Sequence, residues 1–255
     1  MWSLGAPLVP REGTLLPETY KFPRGTTREQ VIARMQQAQK RALAEIWERR
    51  NPDLPIKSPE QLVTLASIVE KETGKADERS RVAAVFVNRL RQKIKLQSDP
   101  TIIYGLVGGK GTLGRPIKRS EIQQPSPYNT YVVEGLPPGP IANPGRASLE
   151  AAANPARTRD LFFVADGTGG HAFSDTYDVH QKNVAKLRAM EKQVPNDTVE
   201  PADDPQPAAT AATPSDAAPA TPATTKPAPA KRPARVAPAR QGAAQTTASP
   251  PVVQR

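Results

Sequence analysis

The sequence predicts an α+β fold: several helices packed on a small, mostly antiparallel sheet, followed by a disordered Pro/Ala-rich tail. Three observations carry that prediction. Apolar residues recur at helical spacing behind capping residues in successive stretches of the first half. The apolar run LFFVA at 161–165, a turn over 166–170 and the return HAFS at 171–174 read as a hairpin. From about Asn196 the chain is Ala, Pro and Thr without periodicity or aromatics, and twelve of its 29 prolines fall there. Such a composition buries too little surface to offset its ordering entropy. The expected organisation is therefore an N-terminal segment and linking helix at 1–57, a folded domain at 58–195 and a tail at 196–255.

Residues 1–25 are rich in Pro and Gly, with a short strand expected near residues 19–22. Thr26 or Thr27 caps a long helix reaching Arg50, where Asn51-Pro52 stops it. Ser58 caps the next helix, with Pro59 at its first position and Gln61 three residues after the cap. At 100° per residue, Leu62, Leu65, Ala66 and Val69 share one arc, and Glu72 falls between Leu65 and Ile68. A carboxyl among apolar neighbours loses solvation of its charged form, and its pKa rises, as a general acid near neutral pH requires. Glu70 lies at the other border of the arc and is the rival, and either residue also suits snorkelling or an ion pair.

Asp77 is expected to cap a third helix with Val82, Val85, Phe86 and Leu90 inward. Asn88 behind that stripe is either a surface residue or a donor towards a polar ligand. Asp99 before Pro100 starts a short helix; it is a cap, or else a second carboxylate near Glu72. Tyr104 offers a flat face with a hydroxyl at its tip, a surface on which sugars stack. Residues 107–146 form a long Pro/Gly-punctuated loop around one possible strand at 130–133, where Tyr128, Asn129 and Thr130 could line a groove. Ser148 caps a short helix, and Asp175 or Thr176 opens a last one to Lys192 with Val179, Val184 and Leu187 inward.

Net charge is +10, which favours a polyanionic partner such as nucleic acid, an anionic membrane or an acidic wall polymer. No zinc-ligand set, RNP-like strand or basic reading helix supports nucleic acid, and aromatics are only 5% of residues. The absence of cysteine excludes disulfides, thiolate metal sites and cysteine nucleophiles. His171 and His180 are not spaced as a metal pair on one helix, so no metal is expected. GGKGTLG lacks the ending of a phosphate loop, and no cofactor motif is present. No run of about 18 apolar residues exists, and the opening MWSLGAPLVPREG lacks the regions of a signal peptide.

At LASIVEKETGKADERSRVAAVFVNRL and LQSDPTIIYG the chain closely resembles the endolytic murein transglycosylases of the MltG (YceG-like) family. The resemblance continues through YNTYVVEGLPPGPIANPGRASLEAAANPA and LFFVADGTGGHAFSDTYDVH, and EGTLLPETYKF upstream fits it too. It implies a lyase that cuts glycan strands between N-acetylmuramic acid and N-acetylglucosamine and leaves 1,6-anhydromuramoyl ends. The family's acid is the Glu of the Glu-Thr pair, here Glu72. Asn88, Gln97, Ser98, Asp99, Tyr104, Tyr128 and Asn129 are then the expected groove residues. The implied partners are peptidoglycan strands and the wall synthases, at the periplasmic face of a bacterial inner membrane. Members usually carry an N-terminal transmembrane helix and a small LysM-like domain, for which this sequence has no room before Pro10. Two other readings stand beside it: a muramidase-like hydrolase with Asp99 as base or nucleophile, and a non-catalytic wall-binding module.

Overall fold

The computed structural model describes residues 9–192. The tail expected to be disordered, from Asn196, lies outside them. The described residues form an α+β arrangement of seven helices and one two-stranded antiparallel sheet. In chain order these are α1 (Arg28–Glu48), α2 (Pro59–Glu72), α3 (Arg79–Arg91), α4 (Asp99–Val107), α5 (Arg119–Ile122), α6 (Arg146–Ala153), β1 (Phe162–Ala165), β2 (His171–Ser174) and α7 (Tyr177–Glu191).

α2 is the axis of the molecule. Ser58 caps it by accepting from the Gln61 N–H at 3.3 Å, and Pro59 occupies its first turn. It packs against α1, α3, α4 and α6, and every residue from Leu62 to Val69 is buried. The one-sided apolar arc read from the sequence is therefore too narrow. Burial of the other face is possible because its polar groups are small and bonded within the helix. Thr64 Oγ1 donates to Glu60 O at 2.9 Å, and Ser67 Oγ donates to Thr64 O at 2.7 Å while accepting from Ile141 N at 3.0 Å.

The core gathers Ile46 from α1, Leu62, Leu65, Ile68 and Val69 from α2, Val82 and Phe86 from α3, and Leu149 from α6. Phe163 of β1 meets Phe86 edge to face at 5.9 Å, which fastens the ribbon to α3. β1 and β2 pair from Phe162↔Ser174 to Ala165↔His171, as the hairpin reading expects. A second tie comes from His171, whose Nδ1 lies 2.7 Å from Glu78 Oε2 ahead of α3.

Several boundaries differ from expectation. Residues 19–22 and 130–133 are not strands. Thr130 sits in a turn with its hydroxyl 2.8 Å from that of Thr101, so its β-branched character serves a tertiary contact. Asp77 does not cap α3; Glu78 holds that position without a side-chain bond. α6 begins at Arg146 behind Gly145, which leaves Ser148 inside the helix and buried. Thr176 does cap α7, accepting from Val179 N at 3.4 Å, but Val179 faces solvent and His180 is the buried residue, stacked on Phe162 at 5.1 Å. Val184 and Leu187, also expected inward, are half-buried, and α7 packs against both strands of the ribbon.

Candidate active site

Glu72 is the last residue of α2, and the chain leaves it through an extended Thr73. Its Oε1 accepts a hydrogen bond of 2.5 Å from Ser98 Oγ. Ser98 is the cap position of α4 yet makes no capping bond, so its hydroxyl is available to the carboxyl. The serine is held from three sides. Its N–H donates to Thr130 Oγ1 at 3.0 Å, its carbonyl accepts from Thr101 Oγ1 at 2.6 Å, and the two threonine hydroxyls meet. Gln97 before it adopts the left-handed region at φ 53°, a costly conformation for a residue with a Cβ. That turn is secured by Gln97 N donating to Thr130 O at 3.2 Å and by Arg89 Nη1 donating to Gln97 Oε1 at 3.0 Å.

Arg89 is the residue that sequence reasoning passed over. It is buried, and its Nε donates to Leu161 O at 2.6 Å while Nη1 reaches Lys95 O and Leu96 O, both at 3.1 Å. One guanidinium thus joins the 95–97 turn to the entry of β1. A signal was present: Arg89 continues the spacing of Val82, Val85 and Phe86, and a charge on an apolar stripe marks a buried role.

The Glu72 carboxyl is pushed up from 4.5 to about 7. Burial is the main cause and the negative charge of Asp99 adds to it, while the Ser98 hydrogen bond and the Arg89 charge pull the other way. Asp99 itself is exposed and accepts from the Tyr131 hydroxyl at 2.7 Å. The rival Glu70 is occupied elsewhere: its Oε2 accepts from Gly145 N at 3.0 Å, at the start of α6. A carboxyl balanced near neutrality and held on a buried helix can donate a proton and take one back.

The structure thus brings Glu72, Ser98 and Asp99 together, with Gln97 linked through Arg89. It sets the other expected groove residues apart. Asn88 Nδ2 donates to Thr158 O at 2.9 Å and Asp160 O at 3.0 Å, beneath the chain that leads into β1. Asn129 is 1% exposed; its Nδ2 lies 3.3, 2.9 and 2.8 Å from the carbonyls of Glu121, Ile122 and Gln124, and its Oδ1 accepts from Tyr131 N at 3.0 Å. With its amide saturated, Asn129 shapes the loop that carries Thr130 and Tyr131. Tyr104 and Tyr128 form a ring pair at 4.8 Å and line a cavity of about 690 Å³ of which Glu72 is not a wall. Cavity size alone would place the chemistry there, but Glu60 on that lining is held below the usual carboxylate range by a backbone hydrogen bond and the Ser58 hydroxyl, the opposite of Glu72. Among the described residues, no three His, Cys, Asp or Glu side chains stand close enough to hold a metal ion. No described helix is long and apolar enough to cross a membrane.

Residues 3–186 match the model of the YceG-like family. An endolytic murein transglycosylase of Bacillus subtilis is 36% identical over 173 residues, covering 68% of this chain and 47% of that protein. One from Streptococcus pneumoniae serotype 2 is 35% identical over 182 residues, covering 69% and 32%. The crystal structure of a YceG-like protein from Listeria monocytogenes superposes with a TM-score of 0.57 at 37% identity, over 67% of this chain and 54% of that one. The chain spans about half the length of the Bacillus relative and about a third of the streptococcal one.

Proposed function

The chain belongs to the YceG-like family, and from that premise we propose that it is a lytic transglycosylase acting within peptidoglycan strands, with Glu72 as its acid. The observation that carries this reading is the Glu72 carboxyl itself, raised to about 7 and positioned by Ser98. Two relatives named endolytic murein transglycosylase support the reaction class. In the proposed mechanism, neutral Glu72 protonates the oxygen between N-acetylmuramic acid and N-acetylglucosamine as the bond to C1 breaks and an oxocarbenium-like centre forms. The resulting carboxylate then removes the proton of the muramoyl C6 hydroxyl, whose oxygen closes on C1. The products are a 1,6-anhydromuramoyl end and a free N-acetylglucosamine 4-hydroxyl, and Glu72 is neutral again. Ser98 orients the carboxyl and stabilises it while it is charged. Arg89 and Gln97 keep Ser98 in place. The reading implies work on the periplasmic side of the inner membrane, beside the synthases that lay down new strands.

The test is to incubate the protein with uncross-linked glycan strands and weigh the products. Internal cuts with anhydro ends, reduced about 10²- to 10⁴-fold by Glu72→Gln and retained by Glu70→Gln, support the proposal. Ends heavier by one water would instead favour a hydrolase in which Asp99 serves as base. Binding without cleavage by either form would favour a wall-binding module.

A further inference from the structure

The cavity at the far end of α4 is built rather than incidental. Its floor is the loop 11–14, locked against the core. Gly13 lies at φ +77°, and a Cβ there would meet Pro140 Cγ at 2.5 Å and Val63 Cγ1 at 2.8 Å. The Gly13 carbonyl accepts from Gln39 Nε2 at 3.1 Å. Thr14 closes the turn on Arg11 O, through its N–H at 3.2 Å and its Oγ1 at 2.6 Å. Asn143 ties the loop from the other side, taking the Leu15 N–H at 3.0 Å and donating to Glu12 Oε1 at 2.8 Å. The site is therefore pre-formed, as ligand pockets are.

Its chemistry is mixed in sign. Arg11 and Lys40 reach the lining without a carboxylate partner among the described residues, and Glu12 and Glu60 bring negative charges. Gln39 on the same lining is 3% exposed, and its Oε1 has no hydrogen-bond partner. The paired rings of Tyr104 and Tyr128 supply an apolar corner. A neutral sugar needs faces and hydroxyl partners but not two free cations. A short peptide bearing carboxylates and an amine matches both signs.

Such a peptide is what the muramoyl residues of uncross-linked peptidoglycan carry. α4 joins the two places: from Asp99 beside Glu72 to Tyr104 is five residues, about 8 Å along the helix. We propose that this cavity is a subsite for the peptide stem of the glycan strand, with Arg11 and Lys40 receiving its carboxylates. The inference rests on the transglycosylase reading and specifies which form of its substrate is preferred.

The test uses the full chain carrying Glu72→Gln, so that strands stay intact. Three probes are titrated: uncross-linked strands with peptides, the same strands stripped by an amidase, and the free stem tetrapeptide. Peptide-bearing strands are expected to bind about tenfold more tightly than stripped ones, the increment of two ionic contacts. Adding Arg11→Glu and Lys40→Glu should cancel that difference and leave the stripped strands unaffected, whereas Arg11→Lys with Lys40→Arg should retain it. Equal affinity for both strands, or equal weakening of both by charge reversal, overturns the proposal. Cleavage by the unmutated chain is measured separately. If it cuts no strand but the free peptide binds and is lost on charge reversal, the lytic reading fails while the peptide site stands.

Discussion

Glu72 and Ser98 make opposing demands on one proton, and the balance can be read by titration. The acid acts while neutral, so cleavage should decline as pH rises through about 7. Ser98→Ala removes a bond that favours the charged form and should carry the alkaline limb to higher pH. Asp99→Asn removes a repelling charge and should carry it lower. A pH–rate profile of the three proteins checks the signs, and identical limbs would exclude Glu72 as the titrating acid. Stability follows the same group. A carboxyl whose pKa is raised by folding contributes most below its unfolded value of 4.5, and that contribution is lost as pH climbs through about 7. Glu72→Gln removes the loss, so its melting temperature relative to the unmutated chain should rise between pH 5 and pH 8.

The elements around the site are fastened by few residues, each reaching far along the chain. Arg89 satisfies three carbonyls and the Gln97 amide, and Arg89→Met would leave them unpaired in a buried setting. A loss of about 3 kcal/mol is expected in urea denaturation. Gly13→Ala meets both a left-handed backbone and the Pro140 ring, and should cost about 2 kcal/mol or more by the same measurement. What could be read in advance follows the range of the interaction. The Ser58 cap of α2, the Thr176 cap of α7 and the β1–β2 register are local and visible in the sequence. So was the place of Glu72 on its wheel. Asn88 and Asn129 look alike on paper, as polar residues near a site; that both amides are spent on backbone carbonyls depends on a distant segment for Asn88 and on an irregular loop for Asn129, which no periodicity encodes. Residues 130–133 read as a strand by composition because β-branched and aromatic residues suit one, and tertiary hydroxyl contacts at Thr130 decided otherwise.

At the scale of the whole molecule, the contacts that finish the fold join distant parts of the chain. Glu12 and Leu15 meet Asn143, 131 and 128 residues away, and the backbone of Asn51 donates to Ala153 O at 3.0 Å. Long closures of this kind slow folding, and they fix its order on the ribosome. While α2 emerges, neither Ser98 nor α6 has been made, and its Glu72 is an ordinary solvated side chain, ionised at neutral pH. Desolvation comes when α3 and the 95–98 turn have closed around it. On the proposed reading, the acid thus gains its raised pKa only once the chain beyond α2 has folded back on it.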